Sequence, residues 1–147
     1  LDSLINLQGK EGVLVNEAEP LQLNKLDKKF LDELIKIIEL NVNTEKLDMP
    51  FIAAQMHMSH STLYRKIKGL LGISGTEFIR RIRLRYSLRL MLEEGYNISE
   101  AAYAAGFSDV GYFRNCFKGE YGMTPSEYMK QQKSSTSVKY NMGENDE

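Results

Sequence analysis

The stretch Ser74–Glu94, SGTEFIRRIRLRYSLRLMLEE, decides how the rest of the chain is organised. Ser74 and Glu77 stand in S-x-x-E spacing, the capping box that satisfies orphan amide donors at a helix N-terminus. Nothing interrupts the helical run before Gly95, a natural stop. At about 100° per residue the apolar side chains fall on two sides. Phe78, Ile79, Ile82, Tyr86 and Leu90 share one, and Leu84, Leu88 and Met91 lie on the other. Arg80, Arg81, Arg83, Arg85 and Arg89 fill the gaps. A helix apolar on two sides packs on two sides, and at 1.5 Å per residue this one spans roughly 30 Å. It is expected to be a spine holding one unit at each end, with its arginines as surface cations or phosphate contacts.

The flanks of the spine repeat one another at an offset of 50 residues. Ile52-Ala53-Ala54 lines up with Ala102-Tyr103-Ala104, and Ser59 meets Asp109, both N-cap types. Leu63, Ile67 and Leu71 meet Phe113, Phe117 and Tyr121; Lys68-Gly69 meets Lys118-Gly119; Gly72 meets Gly122. Ser74 and Glu77 recur as Thr124 and Glu127. Each copy predicts a short helix, a tight turn and a second helix, the helix-turn-helix pattern. In the first, Asp48 caps a helix with Pro50 near its start, where a missing N–H costs nothing. That helix runs from Phe51 to about Gln55, turns through Met56, His57 and Met58, and gives way to Ser59–Leu71. In the second, Ser99 caps a helix through Ala105, Gly106 permits the turn, and Asp109 opens a helix ending at Gly122. A packing helix precedes both, capped by Asp27 with Leu26 and Leu31 as a hydrophobic staple and running to about Val42. A last helix follows Thr124-Pro125 to about Gln132. The expected architecture is all-α: a first helix-turn-helix at about 48–72, a linker helix at 74–94 and a second helix-turn-helix at about 98–122. These lie inside a domain over 26–132, between a linker or upstream-domain remnant (1–25) and a disordered tail (133–147).

The second helix of each copy has a face free for work. In Ser59–Leu71, Leu63, Ile67, Leu70 and Leu71 cover one side, while Ser61, Tyr64, Arg65 and Lys68 share another at i, i+3, i+4, i+7. In Asp109–Tyr121, Phe113, Cys116, Phe117 and Tyr121 are the apolar side, with Gly111, Arg114, Asn115 and Lys118 opposite. Cations suit phosphates, Arg pairs bidentately with guanine, and Asn pairs with adenine. One such face is as readily a solvated surface that happens to be basic; two in the same register point to nucleic acid. Major grooves on one face of B-DNA repeat about every 34 Å, close to the length of the spine. One chain therefore has the dimensions to serve two successive grooves without dimerising.

Composition narrows the classes. At 147 residues, 42% hydrophobic and 27% charged, the chain is an ordinary globular one, long enough for one core-bearing domain with appendages. The single cysteine, Cys116, excludes an internal disulfide framework and is expected as a small core residue. No apolar run approaches the roughly 20 residues of a membrane span, and no signal peptide is expected, which makes a cytoplasmic location without membrane contact the expectation. The start at Leu1 suggests a piece of something longer. Residues 50–133 hold 12 Lys/Arg against 7 Asp/Glu, whereas residues 1–49 hold 6 against 10. A basic middle with acidic flanks points to a polyanionic partner for the middle alone. His57, Met58 and His60 lie close together, but a metal site needs three or four converging ligands. Nor is there a nucleophile-base arrangement or a phosphate-binding glycine loop. No metal, no cofactor and no enzyme activity are expected.

The residues GFSDVGYFRNCFKGEYGMTPSEY (Gly106–Tyr128) resemble the signature of the AraC/XylS family of bacterial transcription regulators, with its G-F-S start, spaced aromatics and G-x-T-P-x-E-Y ending. The first unit, IAAQMHMSHSTLYRKIKGLLGISGTEFI, is similar to the first of that family's paired helix-turn-helix units, and the resemblance covers roughly Asp27 to Gln132. It implies a homeodomain-like all-α fold and sequence-specific binding of double-stranded promoter DNA by both units. The family's base-contacting positions fall on Ser61, Tyr64 and Arg65, and on Val110, Gly111, Arg114 and Asn115. Thr62, Lys68 and Lys118 complete the expected DNA-binding set. Val110 and Gly111 depart from the pattern, because polar readers are frequent at those positions; the second unit is then expected to read fewer bases or to depend more on shape and backbone. Members with an acidic lead-in often sit at the C-terminus of response regulators or hybrid two-component sensors. By that analogy an upstream sensor or receiver domain in the same chain is expected, with RNA polymerase a candidate partner. The competing class is a helical protein-interaction domain whose basic faces bind an acidic protein.

Overall fold

The computed structural model describes residues 23–44 and 46–133. The expectations of a linker before residue 23 and a disordered tail after residue 133 lie outside the described residues. The described residues form α1 (Lys25–Leu40), α2 (Met49–Gln55), α3 (His60–Leu71), α4 (Gly75–Glu93), α5 (Ile98–Ala104), α6 (Val110–Tyr121) and α7 (125–133), and none is in a strand.

Short polar side chains start these helices, as the physics of orphan amides requires. Asp48, Ser59 and Asp109 cap α2, α3 and α6 as their sequence context predicts, and Pro50 sits in the first turn of α2. Two caps fall elsewhere. Asn24, not Asp27, starts α1: its Oδ1 accepts from the Asp27 N–H at 2.8 Å. Leu26 is consequently on the helix surface, 78% exposed, and forms no staple, while Leu23 packs on the core. Asn97, not Ser99, starts α5, where it completes a capping box with Glu100. Ser74 caps α4 by accepting from the Glu77 N–H at 3.1 Å. The Glu77 carboxylate is engaged by Arg80 and Arg81 on the same helix.

The repeat is real, and its register differs from a uniform 50. The caps, turns and first helices run at an offset of 49: Asp48 and Asn97 are the N-caps, and Ile52-Ala53 and Ala101-Ala102 are the buried pairs. The turn bonds agree, since His57 N–H donates to Ala54 O and Gly106 N–H to Tyr103 O. The second helices run at 50, from caps Ser59 and Asp109 to C-caps Gly72 and Gly122. The second turn is therefore one residue longer, and the equivalent of Ile52-Ala53-Ala54 is Ala101-Ala102-Tyr103.

Two hydrophobic cores result, with no buried residue in common. The first joins α1 to α2, α3 and the start of α4 through Leu34, Ile38, Ile52, Leu63, Ile67, Phe78 and Ile82. The second joins the rest of α4 to α5 and α6 through Leu84, Leu88, Leu90, Met91, Ala101, Phe113 and Phe117, with Tyr128 of α7 edge-on to Phe117. The spine thus divides along its length and not around its circumference. Leu90 belongs with Leu84 and Met91, and Tyr86 also packs on the second core.

Candidate nucleic-acid interface

On α3, burial of Leu63, Ile67 and Leu71 turns Ser61, Tyr64, Arg65 and Lys68 outward, and all four are exposed. On α6, burial of Phe113 and Phe117 does the same for Gly111, Arg114, Asn115 and Lys118. The two sets occupy equivalent positions: Ser61 matches Gly111, Tyr64 matches Arg114, Arg65 matches Asn115 and Lys68 matches Lys118.

Three of the ten candidate residues have local partners that limit their reach. Thr62 is half-buried in the cap of α3, where the Ser59 hydroxyl accepts its N–H at 3.2 Å and donates to its hydroxyl at 2.8 Å. Val110 is half-buried and packs on the second core. Lys68 Nζ donates to Gly72 O at 3.2 Å, binding the C-terminal carbonyl of its own helix, where a cation also suits the helix dipole. At Gly111 an added Cβ would lie 3.1 Å from Asp109 Oδ1, so a larger residue would push on the capping carboxylate.

Sequence reasoning missed what the α4 arginines do. Arg83 Nη1 donates to Val42 O at 2.6 Å, in the segment after α1, and to Ala105 O at 3.1 Å, at the end of α5. Burial lowers its pKa from the usual guanidinium value, and the two carbonyl acceptors replace the water it has lost. Arg81 bridges Glu77 at 3.2 Å and, through Nε, Glu120 of α6 at 3.4 Å. The Glu120 side chain is only 10% exposed, and burial pushes its carboxyl up against the opposing pull of Arg81. Arg89 lies over the Tyr86 ring, 5.1 Å from its centroid. No periodicity signals these partners, because Val42 and Ala105 contribute backbone atoms and carry no sequence mark.

Between the two units lies an open cleft of about 280 Å³ whose walls include Asp48, Thr76, Arg80, Arg83, Ser108 and Tyr112. Tyr112 is exposed and tilted against Phe107, with centroids 6.2 Å apart. His57 and His60 are both exposed and Cys116 is half-buried. Among the described residues, no three His, Cys, Asp or Glu side chains converge, and no helix is long and apolar enough to cross a membrane.

A family model described as "Helix-turn-helix domain" matches residues 52–131. Histidine kinase P4 of Formosa agariphila is 32% identical over 108 residues, which cover 74% of this chain and 8% of the kinase. The HTH-type transcriptional regulator AdiY of Escherichia coli is 30% identical over 105 residues, 71% of this chain and 41% of that regulator. Among solved structures, a transcriptional regulator of the AraC-type DNA-binding-domain-containing group from Chromobacterium violaceum superposes with a TM-score of 0.67 at 26% identity, covering 74% of this chain and 96% of that one. The chain spans less than half the length of these two curated relatives.

Proposed function

The chain belongs to the AraC-type family of helix-turn-helix transcription regulators, and we propose that it binds promoter DNA sequence-specifically, with α3 and α6 in successive major grooves. One observation carries this: four exposed positions on α3 and the same four on α6, together holding four cations and one amide, project from twin units on one spine. At 19 residues α4 is about 28 Å long, against a groove repeat of about 34 Å, so the two helices lie within reach of one face of a duplex.

In this reading Arg65 and Arg114 take guanine edges, Asn115 takes adenine, and Ser61 and Tyr64 make the remaining edge contacts of the first unit. Lys68 and Lys118 neutralise phosphates, Lys68 after releasing Gly72 O. Thr62 presents the N-terminal turn of α3 to the backbone. Val110 and Gly111 contribute shape and close approach, which makes the second unit the less discriminating reader. The domain is assigned to 26–132, acts without catalysis, metal or cofactor, and works in the cytoplasm. Similarity to a small fraction of a histidine kinase supports a role as the output segment of a larger signal-responsive protein, with a sensor or receiver domain upstream and RNA polymerase as a second partner.

The test is an anisotropy titration against duplexes selected from a random library, repeated across salt concentrations. A selected duplex should outcompete bulk DNA by about 10³-fold or more, with affinity falling steeply as salt rises. If nothing outcompetes bulk DNA at any salt, the sequence-specific reading fails and an acidic protein partner becomes the better account.

A further inference from the structure

Building on that DNA-binding reading, we infer that Arg83 determines which spacing between the two half-sites this domain accepts, although it touches no base. The two cores share no buried residue. Packing therefore fixes each unit on its own half of α4, and beyond that shared helix their relative tilt is set by the contacts across its middle. Arg83 stands at the point where the first core ends at Ile82 and the second begins at Leu84. Its guanidinium donates to Val42 O, part of the first unit, and to Ala105 O, part of the second. Hydrogen bonds from a charged donor are roughly twice as strong as neutral ones, so this junction is stiff.

The second acceptor gives the tie its leverage. Ala105 caps α5 and leads straight into the turn that aims α6. Gly106, in that turn, is so tightly enclosed that a Cβ there would meet both the Arg83 guanidinium and Val42 O. The turn of the second unit is thus pressed against the backbone of the first, with Arg83 between them. Arg81, bonded to Glu120 on α6, holds the same recognition helix from the side. Arg83 is accordingly a positioning residue.

Spacing is what such a strut controls. One added base pair moves the far half-site by about 3.4 Å and rotates it by about 35°. A rigid two-headed reader then engages only one half-site and loses its avidity, while a loosened one follows the shift.

The experiment uses the full 147-residue chain and a duplex that the wild type selects from a random library. The duplex is rebuilt with its half-sites one or two base pairs closer or farther apart, and each half-site is also measured alone. Wild type should lose on the order of 10²-fold in affinity with one base pair inserted, and Arg83→Met about threefold or less. Each isolated half-site should bind Arg83→Met as it binds wild type. A wild-type spacing profile in a folded Arg83→Met overturns the inference. So does an equal loss on every duplex including the half-sites, which marks a general structural role. Should Arg83→Met not fold, Arg83→Lys keeps the stem and charge but lacks the planar fork; its spacing penalty should fall between the two, and an unchanged penalty overturns the inference. If wild type selects no two-part site, it is the DNA-binding reading that fails, and the wild-type control alone reveals it.

Discussion

Arg65 and Arg114 stand on exposed helix faces whose other sides are buried in separate cores, so their substitution should change contacts without changing the fold. Arg65→Ala and Arg114→Ala are each expected to cost about 1–3 kcal/mol on the selected site and much less on bulk DNA. Lys68→Ala should weaken all duplexes alike and flatten the salt slope by about one unit. Competition titrations at several salt concentrations separate these outcomes, and an Arg65→Ala that behaves like Lys68→Ala identifies Arg65 as a phosphate clamp. The two turns offer a second comparison. His57 and Gly106 hold equivalent positions, both with positive φ (56° and 92°). Gly106→Ala adds a left-handed strain and a clash with the Arg83 guanidinium and Val42 O, and should cost about 2–4 kcal/mol in urea denaturation. His57→Gly relieves one strain while loosening the unfolded chain and should stay within about 1 kcal/mol of wild type. The exposed faces of α3 and α6 could be read from helical spacing alone. Arg83 could not, because it falls among the polar residues of a helix whose neighbours were unknown.

At the level of elements, every helix from α1 to α7 was legible in outline, and the misplaced starts sit at caps where two competent residues compete. Asn24 precedes Asp27 and Asn97 precedes Ser99, and in both cases the outer residue wins by lengthening the helix, by three residues at α1 and by two at α5. At α5 the winner also gains a reciprocal bond from Glu100. The paired boxes at α4 and α7 diverge for a related reason. Glu77 has Arg80 and Arg81 within reach, whereas Glu127 returns to the Thr124 N–H at 2.9 Å as Thr124 Oγ1 accepts from the Glu127 N–H. The Thr124 bonds hold the Glu127 carboxyl below the usual range. A depressed folded pKa means that this contribution is complete above the unfolded value of about 4.3 and is lost as pH falls through the lower folded value. Glu127→Gln should therefore fray the start of α7 at neutral pH. It should also remove the acid-dependent part of the fraying, as measured by amide exchange at Glu127 and Tyr128 from neutral to acid pH.

For the whole molecule, the consequence of two cores on one helix is partial independence. Phe113 is completely buried and in ring contact with Phe107 and Phe117. Phe113→Ala should cost the second unit about 3–5 kcal/mol, while amides in α1, α2 and α3 keep most of their exchange protection. Equal loss of protection in both units would show that they unfold as one. Neither unit can be excised cleanly, since α4 supplies Phe78, Ile79 and Ile82 to one core and Leu84, Leu88, Leu90 and Met91 to the other. Local chemistry was enough to specify the helices, their repeated order and the exposed faces, because caps, breakers and a 3.6-residue period act over a few residues and leave a mark in each copy. The extra residue in the second turn, the lengthwise division of the spine and the Arg83 bridge became visible only in three dimensions. Each depends on which backbone comes to lie beside which side chain, and residues 41 and 22 positions away from Arg83 carry no trace of that meeting in their own identity.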